Sequence, residues 1–130
     1  MSIAELLMQA AAQDTQQLLR NDAQGDTFSL PRDVEFLLVA DDERKAYSVC
    51  SFVNENRYGL ARVSPRGSRY NVSVILHMPI EQHLLCSVSA LMVCIGQIFA
   101  VDYDGWRCSL QASGYRMAWN EGPLPGGYAA

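Results

Sequence analysis

Two carboxylates, two aromatics and a glycine fall within five residues at Asp102-Tyr103-Asp104-Gly105-Trp106. Paired carboxylates can do general acid–base work, but only in a cleft that holds a second polar partner for the proton. The sequence identifies no such partner. Asp104-Gly105 is a turn pair: the aspartate bonds nearby backbone N–H groups and the glycine accepts positive φ. The run therefore reads as a turn, with Trp106 entering the following strand as a large amphipathic anchor. Tryptophan and tyrosine are also favoured interface anchors. Tyr103, Asp104, Trp106 and the adjacent Arg107 are accordingly the candidate partner-binding residues.

Other chemistry-bearing residues point to structure. Asp41-Asp42-Glu43 opens a predicted helix, where negative charge is stabilising by about 0.3–1 kcal/mol. His77 and His83 are the only histidines. His77 lies on the wet side of a strand, and His83 lies in the first turn of a helix, where the helix dipole disfavours a ring proton. No nucleophile stands in a known motif beside either of them. The chain has no G-x-S-x-G, no H-E-x-x-H and no phosphate-cradling glycine loop. Its four cysteines, Cys50, Cys86, Cys94 and Cys108, form no C-x-x-C pair. Cys86 and Cys94 lie two turns apart on one helix with His83 nearby. Structural zinc sites instead present closely spaced pairs from loops, so these thiols read as small buried hydrophobes. No catalytic residue, cofactor-binding residue or metal ligand is assigned, and no cofactor is expected.

The chain has 130 residues, 49% of them hydrophobic and 18% charged, with net charge −4. That suits one domain around a single core. The acidic balance argues against a phosphate-tracking protein. Arg57, Arg62, Arg66 and Arg69 fall in one stretch but are interleaved with Tyr58, Pro65 and Gly67, as in a solvated turn region. The start of the chain lacks the pattern of a signal peptide. Leu84–Val101 is as long as a membrane span, but it contains Ser87, Ser89, Cys94, Gly96 and Gln97 without close basic flanks. It reads as a buried core helix. A cytoplasmic location with reduced cysteines is expected.

The elements that hold these residues follow from periodicity. Ser2 with Glu5 makes a capping box for a helix over 2–21, whose thin stripe is Ile3, Leu7, Ala10, Ala11 and Leu18. Asp33–Ala40 is a strand apolar on both faces, hence central. Asp41 or Asp42 caps a helix to about Asn56. Leu60–Ser64 is a short strand, 65–68 a turn, and Tyr70–Met78 a strand with Val72, Val74, Leu76 and Met78 inward. Asn71, Ser73, Ile75 and His77 then look outward, without the basic–aromatic pattern of RNA-binding sheets, so no direct nucleic-acid contact is expected. Pro79 ends that strand. A helix from about Glu81 to Phe99 carries Leu84, Val88, Leu91, Met92, Ile95 and Phe99. Its other side is also apolar and needs a cover, either the first helix or a second copy of the chain in a homodimer. Trp106–Gln111 is the last core strand. Tyr115, Met117 and Trp119 alternate as in a fifth strand, ahead of a Pro/Gly-rich end expected to be mobile. The domain reading is 1–24 N-terminal helix, 33–111 core, 112–130 tail. The order β-α-β-β-α-β is the split-βαβ, ferredoxin-like α+β arrangement, with both core helices on one face of the sheet.

Val101-Asp102-Tyr103-Asp104-Gly105-Trp106, at the end of a long helix, resembles the Tyr-Asp-Gly-Trp signature of the regulator of ribonuclease activity B family. The Asp41-Asp42-Glu43 helix start and the Tyr58-Gly59 helix exit are similar too, so the resemblance covers about 33–110. It implies a small cytoplasmic bacterial protein with a ferredoxin-like fold and no catalysis, which binds ribonuclease E of the RNA degradosome and inhibits it by protein contact. Two departures stand out: Arg107 replaces the glycine after the tryptophan, and the 114–130 tail is nearly neutral where the family's best-known member is strongly acidic. A small-molecule-binding regulatory domain is the alternative, from fold analogy alone, and an enzyme using Asp102 or Asp104 ranks below it.

Overall fold

The computed structural model describes residues 1–111 and the backbone of 118–119. The chain runs α1 (Ile3–Ala23), β1 (Arg32–Ala40), α2 (Glu43–Glu55), β2 (Leu60–Arg66), β3 (Arg69–Met78), α3 (Gln82–Phe99), β4 (Asp102–Leu110) and β5 (Ala118–Trp119). The strands lie in the order β2-β3-β1-β4-β5, and every pair is antiparallel. The first four strands with α2 and α3 form the expected ferredoxin-like α+β core. Of the fifth-strand residues, Trp119 pairs with Ser109; Tyr115, Met117 and the end of the chain lie outside the described residues.

Local sequence sets the helix starts. Ser2 Oγ accepts from the Glu5 N–H at 3.1 Å, and the Glu5 carboxylate accepts from the Ser2 N–H at 3.0 Å, completing the capping box. Asp42 rather than Asp41 caps α2, accepting from the Lys45 N–H at 2.7 Å. α3 ends where Ala100 turns left-handed at φ 57°, and the chain then passes so close that a Cβ on Gly96 would lie 2.7 Å from the Val101 carbonyl oxygen, so only glycine fits there.

β1 is central and apolar on both faces, with Phe36, Leu37, Leu38, Val39 and Ala40 all fully buried. Val34, Phe36 and Leu38 meet Val72, Val74, Met92, Ile95 and Trp106 in the core between sheet and helices. The line of deepest burial on α3 differs from expectation. Leu84, Val88, Leu91 and Phe99 pack on the core but are only half-buried. The fully buried line runs through Leu85, Ser89, Met92, Val93, Ile95 and Gly96. The helix is covered from two directions, by the sheet and by α1, and burial is most complete between them. The second apolar side of α3 is thus covered by the first helix of the same chain. By length and composition α3 could cross a membrane, and in this fold it packs between sheet and helix.

Two strand boundaries also move. β2 continues through Pro65 and Arg66, leaving only Gly67-Ser68 for the turn. β4 begins at Asp102, so the Asp102–Trp106 run is not a turn: all of it is strand, paired with β1 from Val39↔Asp102 to Val34↔Cys108. The Asp-Gly pair serves a different backbone need there.

Candidate interaction site

Side chains alternate between the two faces of a strand, so Tyr103 and Trp106, three apart, should point in opposite directions. They do not. Leu38 pairs with Tyr103 and Phe36 with Trp106, so two steps on β1 oppose three on β4. The extra residue is a β-bulge at Asp104-Gly105, with Gly105 at φ 96°, a conformation that glycine adopts without a Cβ penalty. The bulge resets the alternation. Tyr103, Trp106 and Cys108 all turn towards the helices, while Asp102, Asp104 and Arg107 share the opposite face, on which no helix of the described residues packs.

On the inner side Trp106 is only 1% exposed, so it is withdrawn from any surface contact. Its Nε1 donates to Asp14 Oδ1 at 2.9 Å, and its carbonyl oxygen accepts from Gln17 Nε2 at 3.0 Å. Ser89 Oγ lies 3.2 Å from Asp14 Oδ1 and 2.9 Å from the Tyr103 hydroxyl oxygen. Burial pushes the Asp14 carboxyl up to about 6, against the donors Ser89 and Trp106. Burial also raises the Tyr103 phenol well above its ordinary range.

On the outer face the charges pair across strands. Arg66 Nη1 donates to Asp104 at 3.1 Å. Arg69 donates to Asp102 at 2.7 Å and to Asp41 at 3.2 Å, and its pKa rises chiefly through the Asp102 bond. Arg107 Nε donates to Glu35 at 3.3 Å. Half of the predicted solvated arginine stretch is thus engaged with the signature carboxylates. The candidate set is divided: Asp104 and Arg107 are partly exposed on the outer face, Tyr103 faces inward with partial exposure, and Trp106 is enclosed.

A cleft of about 140 Å³ opens between α1 and the α3–β4 junction, lined by Gln9, Gln13, Gln97, Asp102 and Tyr103 among others, and neither histidine lines it. His77 Nδ1 lies 3.0 Å from Asp33 Oδ1 on the sheet's outer face, with both side chains well exposed. Among the described residues no group of three or more His, Cys, Asp or Glu side chains is placed to hold a metal.

The polar anchors Asp14, Gln17, Asn21, Asp26, Arg32 and Ser89 are buried and went unread in the sequence. Arg32 enters an ion pair with Asp26 at 2.8 Å, and bonds the carbonyls of Thr27 and Ser109 at 2.9 and 3.1 Å. That clamps the α1–β1 loop to β4. A signal did exist: Asp14, Gln17 and Asn21 fall at helical spacing with Ala10 and Leu18, on the side that must face the protein.

No curated protein matches the chain closely enough to count as a relative. The family model described as "Regulator of ribonuclease activity B" matches residues 11–108, a span that reaches from within α1, through the β4 bulge, to Cys108 of β4. The chain belongs to the regulator of ribonuclease activity B family.

Proposed function

We propose that this protein acts without catalysis, as a cytoplasmic protein-binding module that restrains a ribonuclease by contact. Ribonuclease E or another degradosome component is the first partner to test. The family match over 11–108 carries this reading. The arrangement of β4 supports it: the bulge sends both aromatics inward, so what the run offers a partner is charge, at Asp104 and Arg107. Those two residues, with Tyr103 behind them, are the proposed contact, and Trp106 supports it from beneath. Rim charges of this kind govern association rate and specificity more than bulk affinity.

A pull-down with the purified chain tests the reading. Retention of ribonuclease E at micromolar protein, weakened about tenfold or more by the pair Asp104→Lys and Arg107→Glu while circular dichroism shows the fold retained, is the expected outcome. Failure to retain any degradosome component at that concentration would remove the specific partner. Retention that ignores the charge reversals would move the contact to another surface.

A further inference from the structure

α1 is fastened to the fold mainly by polar side chains. Its buried residues are Ala10, Asp14, Gln17, Leu18 and Asn21, of which only Leu18 joins the main core cluster. Beside the Gln17 bond to the Trp106 carbonyl, Asn21 Nδ2 donates to Asp26 at 3.0 Å, and Gln82 of α3 donates to Thr15 at 3.2 Å. Asp14 sits in the middle of this seam, 3% exposed. Oδ1 has the Trp106 indole and Ser89 as partners, whereas the buried Oδ2 has no N–H or O–H partner and only the Cys86 thiol, a weak donor, approaches the carboxyl besides.

The groups facing this carboxyl are Cys86 and Ser89 from α3, and Trp106 and Tyr103 from β4. None of them carries a positive charge. An ionised carboxylate buried without a cation and with one oxygen unpartnered is expensive. Ser89 has one hydroxyl proton, so it donates either to Asp14 or to Tyr103 at a given moment. An ionised Asp14 claims that proton and makes the Tyr103 hydroxyl serve as donor; a neutral Asp14 releases it.

We propose that Asp14 is a proton-dependent latch: neutral, it holds α1 against α3 and β4, and ionised, it loosens that docking and controls access to the apolar surface beneath α1. When α1 lifts, the groups it uncovers are the Leu85–Gly96 side of α3 and the inner side of the Tyr103–Trp106 run. The direction follows from linkage. Burial holds the docked carboxyl at about 6, and the free one keeps its ordinary value of 3.8. Docking is therefore strongest below about pH 4, weakens as pH rises to about 6, and is level above that. Between pH 5 and pH 7 the docking equilibrium falls roughly tenfold, the part of that two-unit shift which titrates in the interval.

The test uses the full chain labelled with ¹⁵N. The Trp106 indole N–H resonance, distinguished from that of Trp119 by Trp119→Phe, should titrate with a midpoint near pH 6. Hydrogen exchange of α1 amides, corrected for intrinsic rates, should lose about tenfold protection relative to α3 between pH 5 and pH 7. Asp14→Asn should abolish both effects. Ser89→Ala, which removes a donor from the ionised form, should move the indole midpoint upward and serves if Asp14→Asn does not fold. An indole resonance flat from pH 5 to 7, α1 protection that tracks α3 at both values, or an unmoved midpoint in Ser89→Ala would each overturn the proposal.

Discussion

Gly105 decides what the signature spacing means. A side chain at its φ of 96° is strained by about 1–2 kcal/mol, and relaxing that strain would return β4 to plain alternation, sending Tyr103 or Trp106 to the wrong face. Gly105→Ala is expected to destabilise the fold by at least that amount in urea denaturation. Trp106→Phe keeps most of the apolar volume and removes the indole donor from Asp14. Leaving a buried acceptor short of a donor costs about 1–3 kcal/mol. The ionised carboxylate needs the donor more than the neutral one does, so the loss should be larger at pH 7 than at pH 5. Equal losses at the two values would contradict the direct Trp106–Asp14 bond. The same bulge explains why Asp104-Gly105 suggested a turn: turns and bulges both need a residue at positive φ, and only strand pairing tells them apart.

At the scale of elements, most of the fold was legible. The capping box, the Asp42 cap, the doubly apolar β1 and the alternation of β3 are local or periodic signals, and each led to the element observed. The anchors of α1 left only their spacing with Ala10 and Leu18 as a signal, which is easily passed over because polar residues on a helix default to a solvated face. Asp14, Gln17 and Asn21 are buried only because β4, α3 and the Asp26 loop bring partners to them. Another such partner appears at the sheet edge. β2 is the outer strand, and the side-chain amide of Asn54 on α2 accepts from the Ala61 N–H at 2.8 Å and donates to the Ala61 carbonyl at 3.1 Å, as a neighbouring strand would. Pro65, two positions past Val63, has no N–H to offer. Unpaired edges invite strand addition by another chain. Asn54→Ala should cost about 1 kcal/mol for the lost pair of bonds and increase self-association in sedimentation velocity. A variant that stays as dispersed as the parent at high concentration would mean that the amide has no part in guarding the edge.

For the whole molecule, the buried Asp14 makes a pH dependence of its own. Its folded pKa lies above its unfolded one, so its contribution favours the fold at low pH and is lost as pH rises towards 6. The two-unit shift corresponds to about 3 kcal/mol. Chemical denaturation of the parent and of Asp14→Asn across pH 4 to 7 should show the parent losing stability relative to the variant as pH rises, up to that size. Parallel curves would show that Asp14 does not titrate in this range. The sequence by itself determined the order of elements, the central strand, the helix caps and the family signature, because those depend on neighbours a few residues away. Only the tertiary structure decided which face each signature residue meets, that α1 covers α3, and that a carboxylate lies beneath the tryptophan. Those outcomes depend on strand register and on pairs such as Asp14 with Trp106, far apart in the chain, and no local pattern encodes the bulge that aligns them.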